Sequence, residues 1–350
     1  SLVNTIPIRG GERVSLNISL SNGSIDFTGE NSLYVYELGG NSTTDTSELF
    51  ILKLITKGAI ANETARCVKR YDGKINETVK DILKNVLKAN NFKEENIHPT
   101  ANTYSFIGNL KKPFTMLYWL CSKSLPVNNS VKTKEVDKKG MAKGVSGFLF
   151  YENSEGFNFK SVDDLVKNTS LGTSNKKQYP TYSVTGVIEA DNPASDFKIY
   201  NHTFERNIDL INNLQRGAYS NVTYFYNFYT QKFSLYQYNL KDEIKTANKL
   251  GTNDVIPVPK EIEKSISRIM FRSADVGIME KGANNTSFND GYQRDIADMA
   301  KSISRYNILF SQALNIVVPC NASLKVGDII EVLLPKIGTG NDNKQVDEQQ

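Results

Sequence analysis

Histidine is the scarcest chemical resource in this chain, with two copies in 350 residues. His98 precedes Pro99 and reads as a turn residue, and His202 falls in a strand-like segment, so a His-built metal site or triad needs both. Ser146, in Gly144-Val145-Ser146-Gly147, is one residue short of a nucleophile elbow and has no helix after it. The chain has no Gly-x-x-x-x-Gly-Lys-Ser/Thr, and Gly338-Thr339-Gly340 gains neither a third glycine nor a helix, so no phosphate cradle is legible. The acid pairs Glu94-Glu95 and Asp163-Asp164 lie on surface-like segments and are expected to be solvated, whereas glycosidase acids need a set separation and burial. Asn341-Asp342-Asn343 with Asp347 lacks the Gly and the closing Glu of a calcium loop. The expectation is therefore no catalytic, cofactor-binding or metal-ligating residue, no cofactor, and a chain that is not an enzyme.

Charge and cysteine exclude further classes. Lys and Arg exceed Asp and Glu by 42 to 38, a net charge of +4. The one local run, Lys132, Lys134, Lys138 and Lys139, is interrupted by Glu135 and Asp137. It reads as a solvated loop and not as a phosphate-reading face, so no sequence-specific nucleic acid is expected. Cys67, Cys121 and Cys320 are odd in number and far apart, which predicts reduced, buried thiols. Triplets such as Asn17-Ile18-Ser19 and Asn321-Ala322-Ser323 follow from an Asn-rich composition without glycosylation. No apolar run reaches the length of a membrane span, and Ser1-Leu2-Val3-Asn4 lacks the parts of a signal peptide, so the chain is expected to open inside a strand, as a trimmed fragment.

The elements that would hold these residues come in three stretches. Val14, Leu16, Ile18 and Leu20 alternate with polar residues and turn at Ser21-Asn22-Gly23-Ser24 into Ile25-Asp26-Phe27, while 33–38 and 49–56 are two more strand runs. The first seventy or so residues thus predict most of a small β-barrel or sandwich. After Asp72-Gly73 the period becomes helical, with Ile75, Val79, Ile82, Leu83, Val86 and Leu87 on one side and an end at Ala89-Asn90-Asn91. Pro113 is placed to start a second helix, with Phe114, Leu117, Leu120, Cys121 and Ser124 as its stripe. The aromatic runs Gly147 to Tyr151 and Phe157 to Lys160 flank Asn153-Ser154-Glu155-Gly156, a hairpin that puts Phe148, Phe150 and Glu152 on one face and pairs Phe157 with Phe159. These rings are expected to be core. The C-terminal stretch returns to strands around Tyr182 and Phe197 to Thr203, then a hairpin of Tyr224, Tyr226 and Phe228 with Phe233, Leu235 and Gln237, read as a barrel wall in preference to a sugar platform. A short helix over 259–269, a long helix over 290–314 with Arg305 exposed, and strands at 316–319 and 326–334 complete the reading.

Several segments together resemble the baseplate hub proteins of contractile-tailed bacteriophages. Phe148 to Leu165 matches the family's aromatic strand, Glu, Gly and second aromatic strand followed by Ser-x-x-x-Leu. Phe106 to Ser124 is similar to its strand, Pro-started helix and Trp-Leu-x-Ser ending; Gly217 to Ser220 with Tyr229 to Phe233 to its Gly-entered hairpin; and Leu309 to Leu314, Val318-Pro319 and Leu324 to Asp328 to its last helix and strand entry. The matches run in family order from about Leu33 to Pro335. The resemblance implies an α+β, mostly β fold: two tube-type antiparallel β-barrel domains with an α+β insertion. The expected divisions are 1–71 (first barrel), 72–172 (insertion), 173–240 (second barrel, first part), 241–289 (insertion or connection) and 290–350 (helix and strands completing it). It implies a structural virion protein of the tail baseplate, assembled in the bacterial host cytoplasm. Three copies would form a pseudo-sixfold ring between the sixfold tail tube and the threefold spike. The implied partners are two further copies of the chain, the tube or tube-initiator protein, the central spike protein and baseplate wedge proteins. Alternatives are the hub of a related phage-like injection machine, a carbohydrate-binding adhesion protein using the rings between Tyr224 and Tyr238, and a cell-wall hydrolase.

Overall fold

The computed structural model describes residues 8–20, 22–44, 47–101, 103–127, 147–167, 180–184, 197–206, 209–227, 231–240, 262, 265–273, 302–307, 309–310 and 312–334. The fold is α+β and mostly β. The expectations at Ser146, Phe228, Gly338 to Gly340 and Asn341 to Asp347 fall outside these residues.

The N-terminal strands are β1 (Arg13–Val14), β2 (Leu16–Leu20), β3 (Gly23–Phe27), β4 (Leu33–Thr43) and β5 (Glu48–Thr56). β2 and β3 form the antiparallel pair that the alternation predicts, with Ile18 opposite Ile25. β1, β4 and β5 make a separate three-stranded sheet with β4 in the middle. Helix α1 (Lys57–Thr64) then follows β5 without a break, because the Thr56 hydroxyl accepts from the Ala59 N–H and caps it. Its sequence, Lys-Gly-Ala-Ile-Ala-Asn-Glu-Thr, has almost no apolar stripe, so periodicity alone does not reveal it.

The middle of the chain builds the largest core. β6 (Arg70–Tyr71) pairs with β7 (Phe106–Ile107), and between them lies α2 (Ile75–Asp81), continued by a π-turn over Ile82–Val86. Ile75, Val79, Ile82, Leu83 and Leu87 are buried, as their spacing requires. The helix ends where Lys88 turns left-handed at φ 53° without glycine, and the Ala89 N–H reaches back 3.0 Å to the Leu83 carbonyl, one residue further than a Schellman bond because the last turn is the wider π-turn. α3 (Pro113–Cys121) starts on its proline and buries Met116, Leu117, Leu120 and Cys121. β8 (Phe148–Asn153) and β9 (Gly156–Ser161) are the predicted hairpin, with Phe150 opposite Phe159 and Glu152 opposite Phe157. Phe148 packs on Phe159 at 4.9 Å between centroids, Phe150 stacks on Phe157 at 5.8 Å, and Phe114 of α3 meets Phe150 edge-on at 5.4 Å. Each such buried ring contributes roughly 1.5–3 kcal/mol of transfer free energy. The same core takes in Cys67 and Tyr71 and packs against Ala61 of α1, so residues N-terminal to 72 share it.

Beyond α4 (Val162–Lys167) come β10 (Thr181–Ser183), β11 (Asn201–Arg206), α5 (Leu210–Arg216), β12 (Ser220–Asn227), β13 (Lys232–Asn239), β14 (Arg268–Ser273), β15 (Ala313–Val317) and β16 (Glu331–Leu333). β12 and β13 are the predicted hairpin, and β14 adds to β12 in parallel. β11 pairs with β15 and β10 runs parallel to β16, over a small core of Tyr182, Ile199 and Leu334. Among the described residues the sheets have two or three strands, and none closes on itself.

Three expectations are corrected here. The long helix does not reach 314, since Ala313 and Leu314 pair in β15 against β11; the β-branched run Ile316-Val317-Val318 wins once a partner strand is available. Ile269 lies in β14 and not in a helix, because its partner β12 is far away in sequence. The strand expected over 326–334 forms only at Glu331–Leu333. Before it, the Lys325 N–H donates to the Asp328 carboxylate and Gly327, at φ +97°, turns the chain. Among the described residues no helix is long and apolar enough to cross a membrane.

Candidate functional site

A cleft of about 620 Å³ separates the N-terminal strands from the α+β unit. Its walls are largely apolar, with Ile25, Phe27 and Leu33 on one side and Ala61, Leu87 and Ala89 on the other. Glu152 lines it from the end of β8. Its Oε2 accepts from the Thr56 hydroxyl at 2.8 Å and its Oε1 from the Asn91 side-chain amide at 3.2 Å. Each neighbour has a second task that holds it in place: Thr56 caps α1, and the Asn91 carbonyl accepts from the Phe157 N–H at 3.3 Å. Burial pushes the Glu152 carboxyl above the usual carboxylate range, and the two neutral hydrogen bonds only partly offset this. Among the described residues no cation pairs with it.

Gly58 lets the start of α1 lie close against the core behind the cleft, since a Cβ there would strike the fully buried Phe157 ring. The sequence placed Glu152 on the face of Phe148 and Phe150. It gave no sign that Thr56 and Asn91 converge on it, because the three belong to separate elements.

A second cluster brings together the residue types of a triad without its geometry. The Ser161 N–H donates to His98 Nδ1 at 3.2 Å, and Asp164 approaches the same nitrogen at 3.4 Å. A triad needs the acid and the nucleophile on opposite ring nitrogens, with the serine oxygen on one of them. The Ser161 hydroxyl is instead buried and has no hydrogen-bond partner among the described residues. His98 is no turn residue: its N–H joins the hairpin edge by donating to the Phe159 carbonyl at 2.9 Å. His202 is exposed on β11 opposite Ile316, away from this cluster. Among the described residues no three His, Cys, Asp or Glu side chains gather as metal ligands.

Further sequence expectations are corrected by burial. Asp163, expected to be solvated, is 3% exposed and pairs at 2.9 Å with Arg305, expected to be exposed and in fact 9% so. Next to it the Tyr306 hydroxyl accepts from the Phe148 N–H at 3.0 Å and donates to the Phe148 carbonyl at 2.6 Å, and burial raises the phenol's pKa. These contacts fasten the turn of helix at 302–307 to the start of the aromatic hairpin. Glu94 and Glu95 are exposed as expected, Cys67 and Cys121 are buried, and Cys320 is exposed.

The third candidate is a surface. In the β13-β12-β14 sheet, register puts Tyr224 and Tyr226 on one face with Phe233, Leu235, Ile269 and Phe271. Tyr224 stacks on Phe271 at 5.1 Å and Tyr226 packs on Phe233 at 4.9 Å. Phe271 is nevertheless 74% exposed and Phe233 67%. In the N-terminal sheet Leu49 and Ile51 of β5 and Tyr36 and Leu38 of β4 are exposed as well, Leu49 by 69%. No protein-family profile matches the chain, and no curated protein matches it.

Proposed function

We propose that the chain is a structural protein of a phage tail, the baseplate hub, acting as a homotrimer whose six like rims join the sixfold tail tube to the threefold spike. The observation that carries this reading is the pair of small open sheets, β1-β4-β5 before the α+β unit and β13-β12-β14 after it, each exposing large apolar side chains. Apolar area of this kind on a soluble chain is ordinarily covered by a partner, and cyclic assembly removes unpaired sheet edges by the same contacts. The ordered run of resemblances from about Leu33 to Pro335 supports the same reading. In it the two sheets belong to two tube-type barrels completed within the ring, and the α+β unit is the insertion between them.

The trimer meets the tube or its initiator at one end, the spike protein at the other and wedge proteins at its flank, in the virion baseplate. It works by shape and symmetry, without catalysis or a cofactor. The hub of another phage-like injection machine shares this logic.

Native mass spectrometry of the purified chain, with a low-resolution map of the particle, tests it. A trimer and a central threefold density are expected; a stable monomer or dimer in the assembled tail overturns the proposal. A second reading rests on the exposed Tyr224–Phe271 stack, whose aromatic faces suit a sugar ring. A glycan-dependent change in tyrosine fluorescence would favour it.

A further inference from the structure

From the cleft at Glu152 we infer that the chain binds an organic cation there, an ammonium or guanidinium group on a short apolar stem. The volume, about 620 Å³, falls within the range of small-ligand pockets, and the walls offered by Phe27, Leu33, Leu87 and Ala89 suit a stem better than a fully polar solute. The carboxylate at its edge is held by two neutral donors and by no cation among the described residues, although taking an anion out of water is costly unless a positive charge compensates it. A ligand cation is the missing partner. The other charged side chains that line the cleft are Asp26 and Glu30 on the strand side, with Lys57 and Lys88 at the starts and ends of the helices. Nothing in this inference depends on the trimeric reading.

The test compares n-butylguanidinium with its neutral isostere n-butylurea, using the full chain and ligand-observed NMR or calorimetry. The cation should saturate the site and bind at least tenfold more tightly than the urea. Glu152→Gln should abolish that preference, while Asp26→Asn with Glu30→Gln should leave it within about twofold. Equal binding of the two probes overturns the inference, as does a preference that survives Glu152→Gln or disappears with the two rim substitutions. Should Glu152→Gln fail to fold by circular dichroism, the rim double variant serves in its place. There the preference must vanish on acidification through the raised Glu152 titration and return on neutralisation, and a preference that persists in acid sinks the inference. N-acetyl-arginine amide as a third probe distinguishes the sources: binding matching that of butylguanidinium points to a protein side chain, and its absence to a free small cation.

Discussion

At the scale of single residues, the ion pair Asp163–Arg305 has the largest expected effect. Removing one member of a buried pair takes a close opposite charge away from the other in a poorly solvated place, at a cost of about 3–5 kcal/mol. Asp163→Ala is therefore expected to lower the denaturation midpoint sharply. Replacing both residues, Asp163→Leu with Arg305→Met, should recover much of the loss, and a double-mutant cycle in urea reads the coupling. Independent, additive effects would show that the pair is not a unit. Glu152 has a different signature because its folded pKa is raised. Below the unfolded pKa it is neutral in both states and contributes nothing. As pH climbs from the unfolded value through the higher folded one, ionisation costs more in the folded chain, so wild-type stability declines across that window. Glu152→Gln lacks the titration, so its stability relative to wild type should rise from mildly acidic to neutral pH. A flat difference in urea midpoints between pH 4 and 8 would contradict the assignment.

At the scale of elements, the sequence was readable wherever one period and one local signal agreed. Pro113 started its helix, Ile75 to Leu87 kept a helical stripe, and the Phe148 to Phe159 hairpin had its turn residues in place. It misled where the deciding partner lay far along the chain. The character of β14 comes from parallel pairing with β12, Asp163 is buried by a helix about 140 residues later, and α1 has no stripe at all because it is anchored at its cap and at Gly58. For the same reason the cleft is not legible in the sequence: its carboxylate belongs to β8, but the donors come from the end of β5 and the segment after α2. Gly156 is the element-level test. It has φ +100° at the hairpin turn, and a Cβ there would run into the Asn91 carbonyl, which is backbone and cannot swing aside. Gly156→Ala should break the contact between the hairpin and the segment after α2 and cost more than the ~1 kcal/mol of a simple positive-φ substitution. Near-UV circular dichroism and thermal unfolding follow it, and a wild-type melting curve would mean that the turn has room the structure denies.

At the scale of the whole molecule, the two three-stranded sheets leave large apolar side chains exposed among the described residues. Among the described residues three hydrophobic cores form, within the α+β unit, beneath the α5 side of the C-terminal sheet, and between β10–β11 and β15–β16. The outer faces of the two three-stranded sheets join none of them. A side chain that is exposed in the monomer adds little to monomer stability, yet if it is buried between copies its removal weakens assembly. Phe271→Ser together with Phe233→Ser should therefore leave the thermal midpoint of the isolated chain within about 2 °C, since surface substitutions usually stay within about 0.5 kcal/mol. The same pair should shift the mass distribution from trimer toward monomer in sedimentation velocity at micromolar concentration. Leu49→Ser with Ile51→Ser should do so from the other sheet. Because a ring needs both rims of every copy, mixing the two double variants should give at most dimers joined at their one intact contact, and no closed trimer. Double variants that keep the wild-type mass would separate these faces from assembly and leave the aromatic platform of β12, β13 and β14 to the glycan reading.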